Sequence, residues 1–392
     1  MDNKLHISKT FKYVAYILIA IGLVTVGVGF FAGDVQRTWS NLLLNNAIFL
    51  SLTLGGLFWL ALQAIAQAGW SSAFLRVPQA LTCYLIVAFL LWILLFPGLS
   101  HMFHWAQHHG ETIDPVLAHK APYLNVPFFI GRTVLFFVLW IVIAMRIRKL
   151  SITEDTVGGV ELFKKAEFMS KVFIFVFGIS SLFFGIDWIM SLDYHWYSTL
   201  FSIKFFVSSF YHGSALIVFV VIILNKLGYF PFLTKAHLHD FSKYIFMLSI
   251  MWGYMWFIQY FLIWYGNIPE ETSYYYMRRE EGFQGLFLAE IFINWLFPFL
   301  FLMWNRLAKN ATALFITAIV LFVGQYIEYY NAITAEIVHK VVFGFPEIGT
   351  YLGFAGIFIL VGAYSLAKYP LVPRNHPYLI ESIKEEDIEE FY

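Results

Sequence analysis

The sequence predicts an all-α, polytopic membrane protein with about ten transmembrane helices, and three observations predict it. The 392 residues are 60% hydrophobic and 20% aromatic, with a mean hydropathy of +0.71. Only 13% are charged, against roughly 25% in soluble domains. The apolar residues gather into runs of about 20, long enough as helices to cross ~30 Å of hydrocarbon. The alternating ten-residue segments of a membrane β-barrel are absent.

The spans are expected at about 11–32, 42–66, 79–99, 126–147, 168–192, 203–226, 243–265, 282–304, 310–330 and 347–369. The first is too long for the apolar core of a signal peptide and no convincing cleavage site follows, so it reads as a retained span. Pro78 precedes the third, and Pro122 and Pro127 flank the start of the fourth. Pro231 lies in the connection before the seventh, and Asn310 is placed to cap the ninth. Pro298 is the main candidate for a break within a span. Glycines in the first span (Gly22, Gly27, Gly29) and the last (Gly349, Gly353, Gly356) suggest close helix packing. Those end helices are expected around the periphery of a core.

An even number of spans puts both termini on one side of the membrane. With that side inside, eighteen Lys and Arg fall in inside segments, six fall outside, and Arg132 lies within the fourth span. The positive-inside rule therefore predicts cytoplasmic termini. No connection is long enough for a separate domain. The tail, 370–392, is acidic at its end and is expected to dock on a partner or stay mobile.

Zero net charge gives no sign of a nucleic-acid partner. The only cysteine, Cys83, excludes an internal disulfide, a cysteine-ligated cluster and c-type haem attachment through two cysteines. No phosphate loop, nucleophile triad or zincin helix is present.

What stands out is charge at membrane depth. Asp187, Glu290 and Glu328 lie within apolar runs, where each costs on the order of 2.5–3.5 kcal/mol to insert. Glu290 lies ~13 Å into its span, with Asn294 one turn further on the same face. Glu328 follows Gln325 by about one turn. The sixth span carries Lys204 at its start and His212 within it. With Asp187, these groups suit a proton path of carboxylates, imidazole and water, because buried acids and imidazole exchange protons near neutral pH. The competing reading is helix packing, with Asp187 paired to Lys204 or His212.

His101, His104, His108, His109 and His119 follow the third span. A helical continuation would put His101, His104 and His108 on one face, which could bind Zn²⁺ or Cu²⁺. A wet interfacial helix or partner contact fits that polar segment better. Imidazole can also bond a quinol hydroxyl, making His101 and His104 quinone-headgroup candidates. A bis-histidine haem needs two facing histidines at membrane depth, and only His212 is clearly placed there.

Two aromatic segments leave the membrane on the outer side, IDWIMSLDYHWYSTLFS (186–202) and QYFLIWYGNIPEETSYYYMRR (259–279). An interfacial anchoring belt accounts for most of their Trp and Tyr. Pro269, Glu270 and Glu271 could start a short surface helix, closing the mouth of a bundle or receiving an extrinsic subunit.

These two segments, with NHPYLIES (375–382), resemble one family: the F-type membrane subunit of alternative complex III, the bacterial quinol:cytochrome c oxidoreductase. It is related to the NrfD/polysulfide-reductase membrane anchors. The resemblance covers essentially the whole chain and is most specific at IWYGNIPEET (263–272), with Asp187-Trp188 in support. It implies two four-helix bundles plus two peripheral helices in a bacterial inner membrane. It also implies a sister subunit of the same fold, an iron–sulfur subunit and haem c subunits as partners, besides membrane lipids. The chain itself would carry no covalently bound cofactor. It would provide a proton path while partners oxidise quinol.

The proton-path candidates are then Asp187, Lys204, His212, Glu290, Asn294, Gln325 and Glu328. A quinone or menaquinone site in this chain, near His101, His104, Asp187 or His212, is the first alternative. A stand-alone secondary transporter with helices unwound at mid-membrane is the second. A scaffold whose acids only hold helices together is the third.

Overall fold

A computed structural model describes residues 4–107, 114–279 and 282–383. Ten helices in it are long and apolar enough to span a membrane. They are α1 (Lys9–Ala32), α2 (Val35–Ile65), α3 (Arg76–Met102), α4 (Val126–Val157) and α5 (Val160–Leu192), then α6 (Thr199–Lys226), α7 (Lys235–Gly266), α8 (Gln284–Leu302), α9 (Ala311–Val338) and α10 (Phe345–Ala367). No strand occurs among the described residues. The chain is thus an all-α, multi-pass membrane protein.

Side-chain caps start five of these helices. Ser8, Asp34, Asn125, Thr234 and Asn310 each accept a first-turn backbone N–H. Several helices outrun their apolar windows. α4 continues through the charged stretch after Met145 and turns at Gly158 and Gly159, with φ +71° and +84°. Those values favour glycine, and they let α5 start at once as the return limb.

α2 to α5 pack as one bundle and α6 to α9 as a second. The bundles meet along α2, which lies against α6 and α9 and is the most enclosed span with α6. α1 and α10 pair outside this core. A Cβ on Gly22 would stand 2.4 Å from Gly353 Cα, and one on Gly349 would stand 2.2 Å from Thr25 Oγ1. These glycines let the two backbones touch, as their sequence pattern suggested. Gly27 has open space at its Cβ position and plays no such part.

Both ends of the described chain lie on one face, here called the terminal face. His6 N–H donates to Tyr229 in the α6–α7 connection at 3.0 Å. The tail folds back on the chain itself. Arg374 N–H donates to Asp155 at 2.9 Å, Asn375 to the Asp155 carbonyl at 3.0 Å, and Ser382 to the Trp70 carbonyl at 2.6 Å. The part of the tail up to residue 383 is therefore docked on the α2–α3 connection and the last turn of α4. Its acidic end, 384–392, lies outside the described residues.

Candidate functional site

The buried charges sort into two separate groups. The first joins α4 to α5. Arg132 grips Asp187 with two of its guanidinium nitrogens, Nε to Oδ2 at 2.9 Å and Nη2 to Oδ1 at 3.0 Å. Tyr123 donates its hydroxyl to Oδ1 at 2.7 Å, and the guanidinium sits 3.9 Å over the Tyr123 ring. Both oxygens of Asp187 are thus engaged, which is how a buried ion pair persists. The expected grouping of Asp187 with Lys204 or His212 does not form. The Arg132 guanidinium lies across the helix pair instead.

The second group lies in the α6–α9 bundle. Lys204, Ser208 and His212 are spaced by four on α6 and share one face. Lys204 Nζ is 2.7 Å from Glu290 Oε1 on α8 and 3.6 Å from Glu328 Oε1 on α9. It also sits 5.3 Å over the Trp252 ring of α7. Glu328 Oε2 accepts two bonds, from Ser208 Oγ at 2.6 Å and Trp252 Nε1 at 3.0 Å. Glu290 Oε2 accepts from Asn331 Nδ2 at 3.1 Å. Two acids thus share one ammonium, and the cluster is neutral once it carries one additional proton.

From Glu328 the chain of contacts runs inward. Ser208 Oγ is 3.1 Å from His212 Nδ1. His212 Nδ1 is also 2.8 Å from the Ser208 carbonyl, and Nε2 is 3.1 Å from Asn294 Oδ1. Asn294 Nδ2 donates to the Gly324 carbonyl at 3.2 Å, which fixes Oδ1 toward the imidazole.

The single Ser208 hydroxyl proton faces two acceptors. In one arrangement it bonds the Glu328 carboxylate while both His212 nitrogens are protonated. In the other, Glu328 holds the proton and donates to Ser208 Oγ, Ser208 donates to Nδ1, and His212 is neutral. The two arrangements contain the same number of protons.

The local backbone follows from Pro298. Proline has no N–H for the carbonyl of Asn294, four residues back. α8 relaxes into a π turn at Phe292–Leu296, and Tyr211 donates its hydroxyl to the freed carbonyl at 3.0 Å. The helix is loosened there, not unwound. Opposite it, a Cβ on Gly324 would stand 2.1 Å from Asn294 Oδ1, so glycine is what allows the α8–α9 approach.

Outward from Glu290 the polar chain continues. Arg278, fully buried, donates Nε to the Asn331 carbonyl at 3.1 Å and Nη2 to Glu336 Oε1 at 2.8 Å. It is held 3.3 Å over the Tyr274 ring. Burial pushes the Tyr274 hydroxyl up from its ordinary range, against the pull of Arg278 and Lys204.

Tyr274 and Arg278 belong to the short helix Pro269–Arg279, with Glu270 and Glu271 in its first turn and Arg278 and Arg279 in its last. Trp196 stacks on Tyr274 at 4.3 Å and donates its Nε1 to the Glu271 carbonyl at 2.9 Å. The two aromatic segments therefore meet and roof this bundle on the face opposite the termini. Glu290 is six residues from the start of α8, about 9 Å, so it belongs to the half of the protein under that roof.

Of the other sequence candidates, Gln325 donates to Ser51 on α2 at 3.1 Å, tying the bundles together beside the network. His101 and His104 are both exposed. His101 stacks against Trp39 at 6.4 Å. Phe103 is extended (φ −112°, ψ 119°), so the helix stops before His104 and does not carry His101 and His104 on one continuous helical face. His108 and His109 lie outside the described residues. No group of three or more His, Cys, Asp or Glu side chains is arranged to hold a metal among the described residues.

Ser208, Trp252, Asn331, Arg278 and Glu336 are additions that the sequence did not single out. Ser208 alone carried a signal, its position midway between Lys204 and His212.

No protein-family model matches the chain, and no curated protein matches it significantly.

Proposed function

We propose that this chain is the proton-handling membrane component of a quinol-oxidising respiratory complex of the alternative complex III type. The observation that carries the reading is the Ser208 hydroxyl, placed between Glu328 at 2.6 Å and His212 at 3.1 Å. A helix-packing role alone needs only saturated pairs, such as Arg132 with Asp187. The Glu328–Ser208–His212 triad instead has two proton arrangements of equal count. The sequence resemblance to the F-type membrane subunit supplies the rest of the reading: the complex, the sister membrane protein, and the iron–sulfur and haem c partners that carry the electrons.

The positive-inside rule makes the terminal face cytoplasmic. The roofed mouth above Glu336 then points outward, where protons from quinol oxidation are released. A quinone site in this chain draws no support from Asp187, whose carboxylate is already filled by Arg132 and Tyr123. At Pro298, the main candidate for the unwound helix of the transporter reading, α8 stays hydrogen-bonded through a π turn.

The test is made on the assembled complex. Ser208→Ala should lower quinol-driven turnover and proton release while haem c content and subunit composition stay unchanged. Full turnover with unaltered proton stoichiometry in that variant would overturn the proton reading. Purification of the intact chain without iron–sulfur or haem c partners would overturn the assignment to the complex.

A further inference from the structure

On the terminal face a cleft of about 270 Å³ opens between α4 and α5. Its walls carry Arg146, Lys164 and Lys165, and its floor is Leu150, Phe168 and Met169. All three cations are exposed. Neither Arg146 nor Lys165 has a carboxylate partner among the described residues. Lys164 reaches only the solvent-facing Glu161, at 3.4 Å. Glu167, the next acid on α5, is taken by Lys171 at 2.7 Å. Three positive charges thus face one cleft almost uncompensated.

The depth of the cleft fits a lipid headgroup. Arg146 is twenty residues beyond the start of α4, about 30 Å along the helix, which is the full thickness of the hydrocarbon. Lys164 and Lys165 lie higher, on the first turns of α5, at the level of phosphates. Below them Val142 on α4 and Phe168 and Phe175 on α5 are exposed apolar side chains, with Lys171, neutralised by Glu167, between the two phenylalanines. Cations above and bare hydrocarbon side chains below match the two halves of an anionic phospholipid.

We infer that this cleft binds a diphosphatidylglycerol-type lipid, whose two phosphates meet Arg146, Lys164 and Lys165 while its acyl chains lie along α4 and α5. Two phosphates fit better than one because three cations, only one of them with an acid in reach, converge on a single opening. Several acyl chains fit because both helices offer exposed apolar surface beneath it. The inference concerns a site far from the α6–α9 network and stands independently of the proton reading.

The experiment is native mass spectrometry of the full chain, with diphosphatidylglycerol, phosphatidylglycerol and phosphatidylethanolamine offered in competition. The expected result is retention of diphosphatidylglycerol ahead of both others. Each neutralising change, Arg146→Gln, Lys164→Gln or Lys165→Gln, should weaken that retention on the order of fivefold. Lys226→Gln, the same charge change at the end of α6, should leave it unaltered.

All three cleft side chains are exposed, so the variants are expected to keep their helical content and melting temperature. An unchanged preference in the triple variant would overturn the inference. So would equal retention of the zwitterionic lipid. Tighter lipid binding by a chain ended at residue 383 would make the acidic tail the native occupant, and would overturn it as well.

Discussion

The Lys204 ammonium sits 2.7 Å from Glu290 Oε1 but only 3.6 Å from Glu328 Oε1, so one cation serves two buried acids unequally. The two acids should therefore respond differently to removal of charge. Lys204→Met leaves both carboxylates without a counter-ion and should destabilise the protein by about 3–5 kcal/mol, the cost of breaking a buried pair. Glu290→Gln leaves Lys204 with Glu328 and should cost less. Thermal unfolding in detergent ranks the two variants, and equal melting temperatures would contradict the shared-cation arrangement. In the assembled complex Glu290→Gln should still lower turnover.

On the proposed reading, the relay step would depend on a hydroxyl and not on bulk. Ser208→Ala should reduce turnover at least about tenfold, a modest share of what a positioned acid–base group supplies. Ser208→Thr keeps the hydroxyl and should restore much of it. Turnover measured at matched complex content separates this from a folding defect, since alanine is well tolerated within α6.

Asp187 should behave as structure. Asp187→Asn strands the Arg132 guanidinium in the α4–α5 interface and should cost about 3–5 kcal/mol. The double change Arg132→Met with Asp187→Leu should recover most of that loss. Proton stoichiometry should be unaffected in whatever complex assembles. A stoichiometric change with stability intact would place Asp187 in the path after all.

The seam between α1 and α10 is set by backbone contact. Gly353→Ala places a methyl where Gly22 Cα stands, and overpacking of this kind costs about 1–3 kcal/mol. The two helices lie outside both bundles, so the variant should loosen α1 without disturbing turnover. Cross-linking of α1 to α10 through introduced cysteines would show the separation, and undiminished cross-linking would refute it.

The docked tail should respond to pH. Burial and the nearby Arg76 charge pull His376 down to about 4. Its Nδ1 accepts the Tyr378 N–H at 3.3 Å, and its ring packs on Phe163 at 5.2 Å. An undocked tail would carry a histidine of ordinary pKa, about 6.5. The released form therefore binds more protons, and docking is fully favoured above about 6.5 and lost as pH falls toward 4. Amide protection over residues 374–383, taken relative to the intrinsic exchange rate at each pH, should be lower at pH 5 than at pH 7.5, and His376→Phe should blunt the difference.

Much of this was legible in the sequence, for identifiable reasons. Apolar runs located all ten spans because hydrocarbon thickness fixes their length. Helix ends were less legible, since α4 continues as a charged helix past the point where the hydropathy signal stops. Lys204, Glu290, Glu328, His212 and Asn294 were marked as anomalies in apolar surroundings, and the fold does bring them together.

Their pairing was not legible. Arg132 and Asp187 are 55 positions apart, and nothing in local pattern distinguishes Arg132 from Lys204 as the partner. Arg278 and Glu336 sit at span margins, where charge is ordinary, so only packing shows that they are buried. The tail lacks any periodicity that would forecast its docking, which rests on scattered hydrogen bonds to Asp155, Trp70, Ser72 and Gln67 and on ring contact with Phe163.

Beyond His212 toward the terminal face, α6 presents Ile217, Val218, Val221, Ile222 and Leu224, all buried. That stretch is about 10 Å of buried hydrocarbon side chain. On the proposed reading it would act as insulation. A polar wire running from face to face would short-circuit the membrane and dissipate any gradient the protein helps to build. On the proposed proton reading, hydrocarbon on the terminal side of His212 and Asn294 would leave the network open to one compartment only.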